Sequence, residues 1–426
     1  MDPQERTNAL KCTGADGLHG LGMGLVALLT VMPLLLSRLG AGKVELGVLF
    51  SVGAGGWILG QPLGLFVFGR RPRTARFFVR WVLSLWVPAH AAMAAAVYLL
   101  ASADPTGCRL ALLLLICVVT VGDGMVLPVW TDWQASLFRQ ASRGRAMGLI
   151  AGAWALGSGI GSLAAGPLRN ALGFPLGYAV LFLMACCLFA GSAALMSLVQ
   201  EPERLGRDRA RLRVGELLAR VRQSLAGRNY RRYVVSRMLL VLGGGAVAFY
   251  AVHFRGADGG GLGESTIIVL GALTALSQFV GSNLLGRLGD RAGHKRAVAI
   301  GCVAQAAAIA VAVFGRGPVA CGACFAILGV SFSAGWVSHN NMLFETCPHD
   351  SRVAHITLSS ALLAPFILLV PVGTGWLVEQ VGLRTGMALT LAPTLLGLAW
   401  LVLMVREPRE AAGKPGGEHH ASGAAS

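Results

Sequence analysis

The sequence predicts an all-α polytopic membrane protein with twelve transmembrane helices in two pseudo-symmetric six-helix bundles. Composition is the first reason: of 426 residues, 55% are hydrophobic and only 13% charged, with a mean hydropathy of +0.65. Soluble domains carry roughly one quarter charged residues. The second reason is that apolar stretches recur near the ~20 residues that cross a hydrocarbon core. They lack the strict apolar/polar alternation of barrel strands, and only helices otherwise satisfy their backbone groups in lipid. The third is that the second half of the chain echoes the first.

The predicted spans are 18–37, 45–68, 77–101, 109–130, 146–168, 174–198, 234–254, 264–285, 297–314, 318–343, 355–377 and 385–405. Residues 1–17 read as a cytoplasmic N-terminus and 18–198 as the N-terminal six-helix bundle. Residues 199–233 form a basic cytoplasmic linker, 234–405 the C-terminal bundle and 406–426 a disordered cytoplasmic tail. With both termini inside, the inside loops collect about 28 of the 36 Lys and Arg, the asymmetry of the positive-inside rule. Attraction to an anionic inner leaflet accounts for the net charge of +16 without nucleic acid. Acids in the first residues, and no small-residue cleavage site after the first apolar run, predict no signal peptide. In the linker, Val214, Leu217, Leu218, Val221 and Leu225 share one face, the pattern of an amphipathic helix lying on the membrane.

Ionisable groups inside apolar spans are costly and mark functional positions. Asp16 and His19 stand at i, i+3 near the start of helix one, as a protonatable pair or an interfacial helix start. Gln61 of helix two and Gln278 of helix eight lie at similar depths, as cavity amides or helix–helix hydrogen bonds. Asp123 of helix four, between Gly122 and Gly124, is the leading proton site, with an ion pair to Arg80, Arg143 or Arg145 as the alternative. Arg80 and Arg237 mark the inner surface. In helix five, Gly157, Gly161 and Ala165 give a small-residue packing stripe, and the helix ends at Gly166-Pro167. In helix ten, Trp336, His339, Asn340 and Asn341 suit a cavity wall or a hinge. Cys321 and Cys324 form a CxxC inside an apolar helix, where thiols act as small hydrophobes.

The internal echo aligns Arg145 with Arg352, Gly166 with Gly373 and Glu45 with Glu264. Between helices eight and nine runs GRLGDRAGHKR, residues Gly286–Arg296, a dense charged knot between apolar runs. Twelve helices, a six-plus-six split and this loop resemble the major facilitator superfamily, with the motif matched at Gly286, Asp290, Arg291, Gly293, Lys295 and Arg296. The resemblance extends to uncharacterised bacterial permeases of that superfamily through Asp16-Gly17, through Pro128, Trp130, Trp133, Arg143, Gly144 and Arg145, and through Asn341, Glu345, Pro348 and Arg352. It implies alternating-access transport, with the loop motif, Arg143, Arg145, Glu345 and Arg352 as gating elements. The loop after helix two departs from the pattern: Phe68 or Arg71 stands where the family has an aspartate, so the latch role falls to Asp290.

The expectation is a secondary transporter of a small solute in the bacterial inner membrane, coupled to a proton or another ion. It functions as a monomer and has the lipid bilayer as its surroundings. No metal, cofactor or nucleic acid is expected. An enzyme is disfavoured by the lack of H-E-x-x-H, G-x-S-x-G and phosphate-loop motifs. A sensor or scaffold with a transporter fold, or an exporter rather than an uptake permease, are the alternatives.

Overall fold

The computed structural model describes residues 2–68, 74–201, 227–346 and 352–407, and all regular structure there is helical. Joined across short π and 3-10 turns, the helices form twelve rods. They are α1 (Pro3–Leu25, continued by Val31–Arg38), α2 (43–68), α3 (Ala75–Leu100), α4 (Pro105–Ser136), α5 (Gln140–Leu172) and α6 (Leu176–Ser197). The second half supplies α7 (Arg228–Arg255), α8 (Glu264–Ala292), α9 (His294–Phe314), α10 (317–346), α11 (Arg352–Val381) and α12 (Leu383–Met404). Ten of the rods, all but α1 and α10, are long and apolar enough to cross a membrane. Successive rods reverse direction, so Pro3 and Met404 share one face, the termini face.

The outer surface is what a lipid-embedded bundle requires. On α4, Leu110, Leu114 and Val118 recur every four residues at 59%, 65% and 45% exposure, an outward apolar stripe that water would not tolerate on this scale. Inside, glycines let helices touch along their backbones. A β-carbon on Gly20 would lie 2.1 Å from the Trp154 carbonyl oxygen, and one on Gly161 would lie 2.1 Å from that of Leu21. The small-residue stripe of α5 therefore packs on α1, as its spacing predicts.

Several boundaries differ from the sequence reading. Helix α1 begins at Pro3, capped by Asp2, so most of residues 1–17 is helix. It breaks after Leu25 and resumes at Val31, because Pro33 cannot share a continuous helix with the carbonyl one turn before it. Helix α5 runs past Gly166-Pro167 to Leu172, and α7 starts at Arg228 rather than at 234. The charged knot is not an open loop. Helix α8 continues through it to Ala292, and the chain reverses at Gly293 alone, whose φ of +89° suits glycine. The linker helix at 214–225 and most of the loop at 69–76 lie outside the described residues.

Candidate functional site

Contacts between the two halves concentrate away from the termini face. Helix α5 packs on α8 where Gly166 meets the Ser265 carbonyl and Gly159 meets Leu276, whereas a β-carbon on Gly144 or Gly148, nearer the termini face, would meet nothing within 4 Å among the described residues. Helix α2 packs on α11 in the same way. Its Gly47 would place a β-carbon 2.3 Å from the Pro371 carbonyl oxygen, but the later turns of α2 touch α11 little. The halves are joined at one face and diverge toward the other.

At the joined face Glu264, only 6% exposed, is the hub. Its carboxylate accepts from Arg169, from Tyr178 at 2.9 Å, from Arg255 at 3.0 Å and from Arg38 at 3.4 Å. Arg38, Arg169 and Tyr178 belong to the first half, Arg255 and Glu264 to the second. Backbone dipoles explain why the cluster sits here. Each arginine lies in the last turns of its helix, where cations are favoured, and Glu264 lies in the first turn of α8, where anions are favoured. Arg38 also lies 4.6 Å over the Phe174 ring. A second contact crosses the halves nearby: Glu379, near the end of α11, accepts from the backbone N–H groups of Lys43 at 2.9 Å and Val44 at 3.2 Å, capping α2. Glu45, the sequence counterpart of Glu264, pairs instead with Arg109 of its own half at 3.2 Å.

At the termini face each half is clasped internally by the same device. Asn8 of α1 donates to the Gln200 carbonyl at 2.7 Å and accepts from the Gln200 N–H at 3.0 Å. Asn229 of α7 does the same with Arg406, at 3.0 Å and 2.8 Å. The next residue in each case is a glutamate that caps the third helix of its bundle: Glu201 accepts from Ala75 N–H, and Glu407 from Lys295 N–H at 3.0 Å. Glu201 also takes the Trp133 indole N–H at 2.9 Å, which explains one of the paired tryptophans. Glu5 is drawn into this end of the first half. The Arg139 N–H at 2.8 Å and the Ser142 hydroxyl at 3.0 Å hydrogen-bond its carboxyl and hold it below the usual carboxylate range.

The sequence-predicted residues distribute as follows. In the charged knot, Asp290 lies 3.8 Å from His294, its side chain 75% exposed. Arg291 and Arg296 are exposed, Lys295 reaches the Val402 carbonyl at 2.9 Å, and Gly286 meets Val337 only at ordinary contact distance. Arg143 and Arg145 are exposed on the first turns of α5. Asp123 accepts from the Trp57 indole at 3.0 Å, where Gly60 and Gly124 bring α2 and α4 into backbone contact. Among the described residues it makes no ion pair with Arg80, Arg143 or Arg145.

Asp16 and His19 do not pair. Asp16 accepts from Gln134 of α4 at 3.1 Å, while His19 lies against the Trp86 and Phe189 rings, each centroid 4.7 Å away. The 60° between i and i+3 on a helix aims them at different neighbours, and with α1 starting at Pro3, Asp16 is well inside the helix. Asp123, Trp130 and Gln134 recur at helical spacing on one face of α4. Gln61 and Gln278 are part-buried and make no hydrogen bond among the described residues. His339 is tied to the Tyr233 hydroxyl at 2.6 Å and only 9% exposed, so it packs within the second half. Arg237 stands beside the same hydroxyl. Asn341 is part-buried on α10. Trp336 lies in the π turn Ala334–Ser338 of α10, Asn340 and Glu345 on the turns after it, and Arg352 opens α11. The side chains of these four fall outside the described residues, as does Pro348.

The family model described as Major Facilitator Superfamily matches residues 257–425. Among solved structures, a bacterial homologue of the human lysosomal transporter Spinster, inward-facing and unoccupied, superposes with a TM-score of 0.70 at 14% identity. The match covers 97% of this chain and 100% of that one. A variant of the nucleoside transporter NupG gives 0.73 at 14% identity over 94% and 100%. An auto-inhibited peptide transporter of the POT family gives 0.65 at 13% over 98% of both chains. No curated protein matches the sequence. At these identities the likeness establishes the fold.

Proposed function

We propose that this chain, which has the fold of the major facilitator superfamily, is a secondary carrier moving a small solute across the membrane by alternating access. The observation that carries this reading is the asymmetric joint between the halves. Its links are ion pairs, a phenol hydrogen bond, a helix cap and two glycine seams, all at one face. Rocking of one bundle on the other could break them as a unit, giving the two global states a carrier needs. The Spinster homologue was captured inward-facing, which supports placing the open termini face in the cytoplasm. The positive charge of the termini-face loops favours the same placement in a bacterial inner membrane.

On this reading Asp123 carries the coupled proton. It is a carboxyl in mid-membrane, at a seam of two helices, with an uncharged indole as partner rather than a cation. Gln61 and Gln278, whose amides lack protein partners among the described residues, are offered as solute contacts. Asp290 and the other motif residues act in the opposite state, when the termini face closes.

The test is counterflow in proteoliposomes, using solutes chosen by thermal-shift screening, since a ligand that binds the folded state raises the melting temperature. Exchange of labelled for unlabelled solute is expected. Binding without counterflow would assign the chain to sensing or scaffolding instead. Asp123→Asn, which keeps an acceptor for Trp57, is expected to abolish gradient-driven uptake while leaving exchange. Uptake that still follows the pH gradient would remove Asp123 from the coupling step.

A further inference from the structure

We infer that the seam between α7 and α12 binds an anionic phospholipid from the termini-face leaflet, its headgroup among arginines and one acyl chain in an apolar groove. Two separate cavities lie beside this seam, the second of them walled mostly by α11. The first, about 310 Å³, is lined by Arg228, Arg231, Arg232, Val235 and Trp400 at the membrane edge. The second, about 530 Å³, includes Leu242, Phe366, Leu369, Leu377 and Pro393 in its lining and is almost wholly apolar. Helical spacing puts their α7 and α12 lining residues in line. On α7, Arg228, Arg231, Val235 and Leu242 differ by three, four and seven residues, and on α12, Pro393 and Trp400 by seven, so each set shares a face. The rise from Val235 to Leu242 is about 10 Å, and Val235 between the two cavities is 37% exposed.

Charge selects the occupant. Three guanidiniums crowd one helix turn, where like charges at i, i+3 and i, i+4 repel. Among the described residues no carboxylate lies within 4 Å of any of them. Arg228 and Arg231 are exposed, and Arg232 has one nitrogen engaged by the Met404 carbonyl at 3.2 Å. A phosphodiester supplies the missing charge and accepts from several guanidinium N–H groups at once. Basic pockets between transmembrane helices at an anionic leaflet recognise such headgroups. Trp400 donates to the Arg232 carbonyl at 2.9 Å, which fixes its ring as one wall. A free phosphate would leave the apolar groove beyond it unused, whereas a phospholipid fills both cavities.

The test is native mass spectrometry of the full chain with equal phosphatidylglycerol and phosphatidylcholine, alongside melting temperatures in each lipid and in inorganic phosphate. Selective retention of phosphatidylglycerol is expected, with a higher melting temperature than in phosphatidylcholine. Arg228→Gln with Arg231→Gln should lower retention about 30-fold, while Arg228→Lys with Arg231→Lys keeps most of it. Leu242→Trp, which fills the groove and leaves the arginines, should also lower it, and it carries the test should the glutamine pair fail to fold. Equal retention by the wild type and by whichever of the glutamine pair and Leu242→Trp folds would overturn the proposal. So would a wild type that retains no lipid because its own acidic segments occupy the pocket, or one for which phosphate alone gives the full stabilisation.

Discussion

Replacing Glu264 by Gln should open the joined face, and the structure sets the size of the effect. Of its four partners, Arg255 is in the same half and stays close in either state, so it does not count. Arg38 is about a third exposed, with 35% of its side chain accessible, and a pair this wet is worth well under 1 kcal/mol. Arg169 is different. It is 8% exposed, and its Nε has no partner among the described residues, so the Glu264 carboxylate is the charge that makes its burial tolerable. Breaking a buried pair by removing one member costs about 3–5 kcal/mol. A glutamine that still accepts from Tyr178 recovers part of this, leaving roughly 2–3 kcal/mol, or about a 30- to 150-fold shift toward the state open at this face. The assay is labelling of a single cysteine, Ser265→Cys, by an impermeant maleimide in a background without the nine native cysteines. Ser265 packs on Gly166 between the halves, so labelling should accelerate by more than tenfold in the Gln variant. Rates within twofold of the parent would refute the assignment of Glu264 as the hub.

The same face can be opened by bulk rather than charge: Gly47→Val, which sets a side chain against the Pro371 backbone, should accelerate labelling at Ser265 with Glu264 intact. A variant that labels like the parent would show that α2 and α11 are not held at that seam. For the twin clasps, Asn8→Ala should cost roughly 1–3 kcal/mol and Asn229→Ala under about 1 kcal/mol, because Asn8 is buried at 2% while water reaches the part-buried Asn229. Melting temperatures in detergent check the order, and equal losses would contradict it. Asp290→Asn should weaken closure of the termini face and raise labelling of exposed sites near Arg143 during turnover. Unchanged labelling would leave the motif as a topological anchor.

Much of the fold was legible because its determinants are local. Apolar length marks the spans, glycine spacing marks the α1–α5 seam, and Gly293 marks the turn inside the charged knot. The boundaries slipped where polar residues are paid for by tertiary partners. Residues 3–17 look too polar to belong to the first helix until Asn8 finds Gln200 and Asp16 finds Gln134. The hub at Glu264 was not legible as a hub, since its partners lie on four different helices. A signal was present all the same: Arg38, Arg169 and Arg255 end helices on the sparsely charged side, facing an acid that opens another. The clasps were equally visible in hindsight as two V-x-E-P segments, Val199–Pro202 and Val405–Pro408. The hydrogen bonds that give them meaning run back to the first helix of each bundle.

The central claim is that one motion opens one face as it closes the other. Pulsed EPR on two spin-label pairs tests it directly, with Leu172 and Ala257 labelled across the joined face and Arg143 and Arg287 across the termini face. In the parent the first distance should be short and the second long, and Glu264→Gln should lengthen the first while shortening the second. A lengthened first distance with the second unchanged would show that the halves separate at one face without rocking, which contradicts alternating access in this chain.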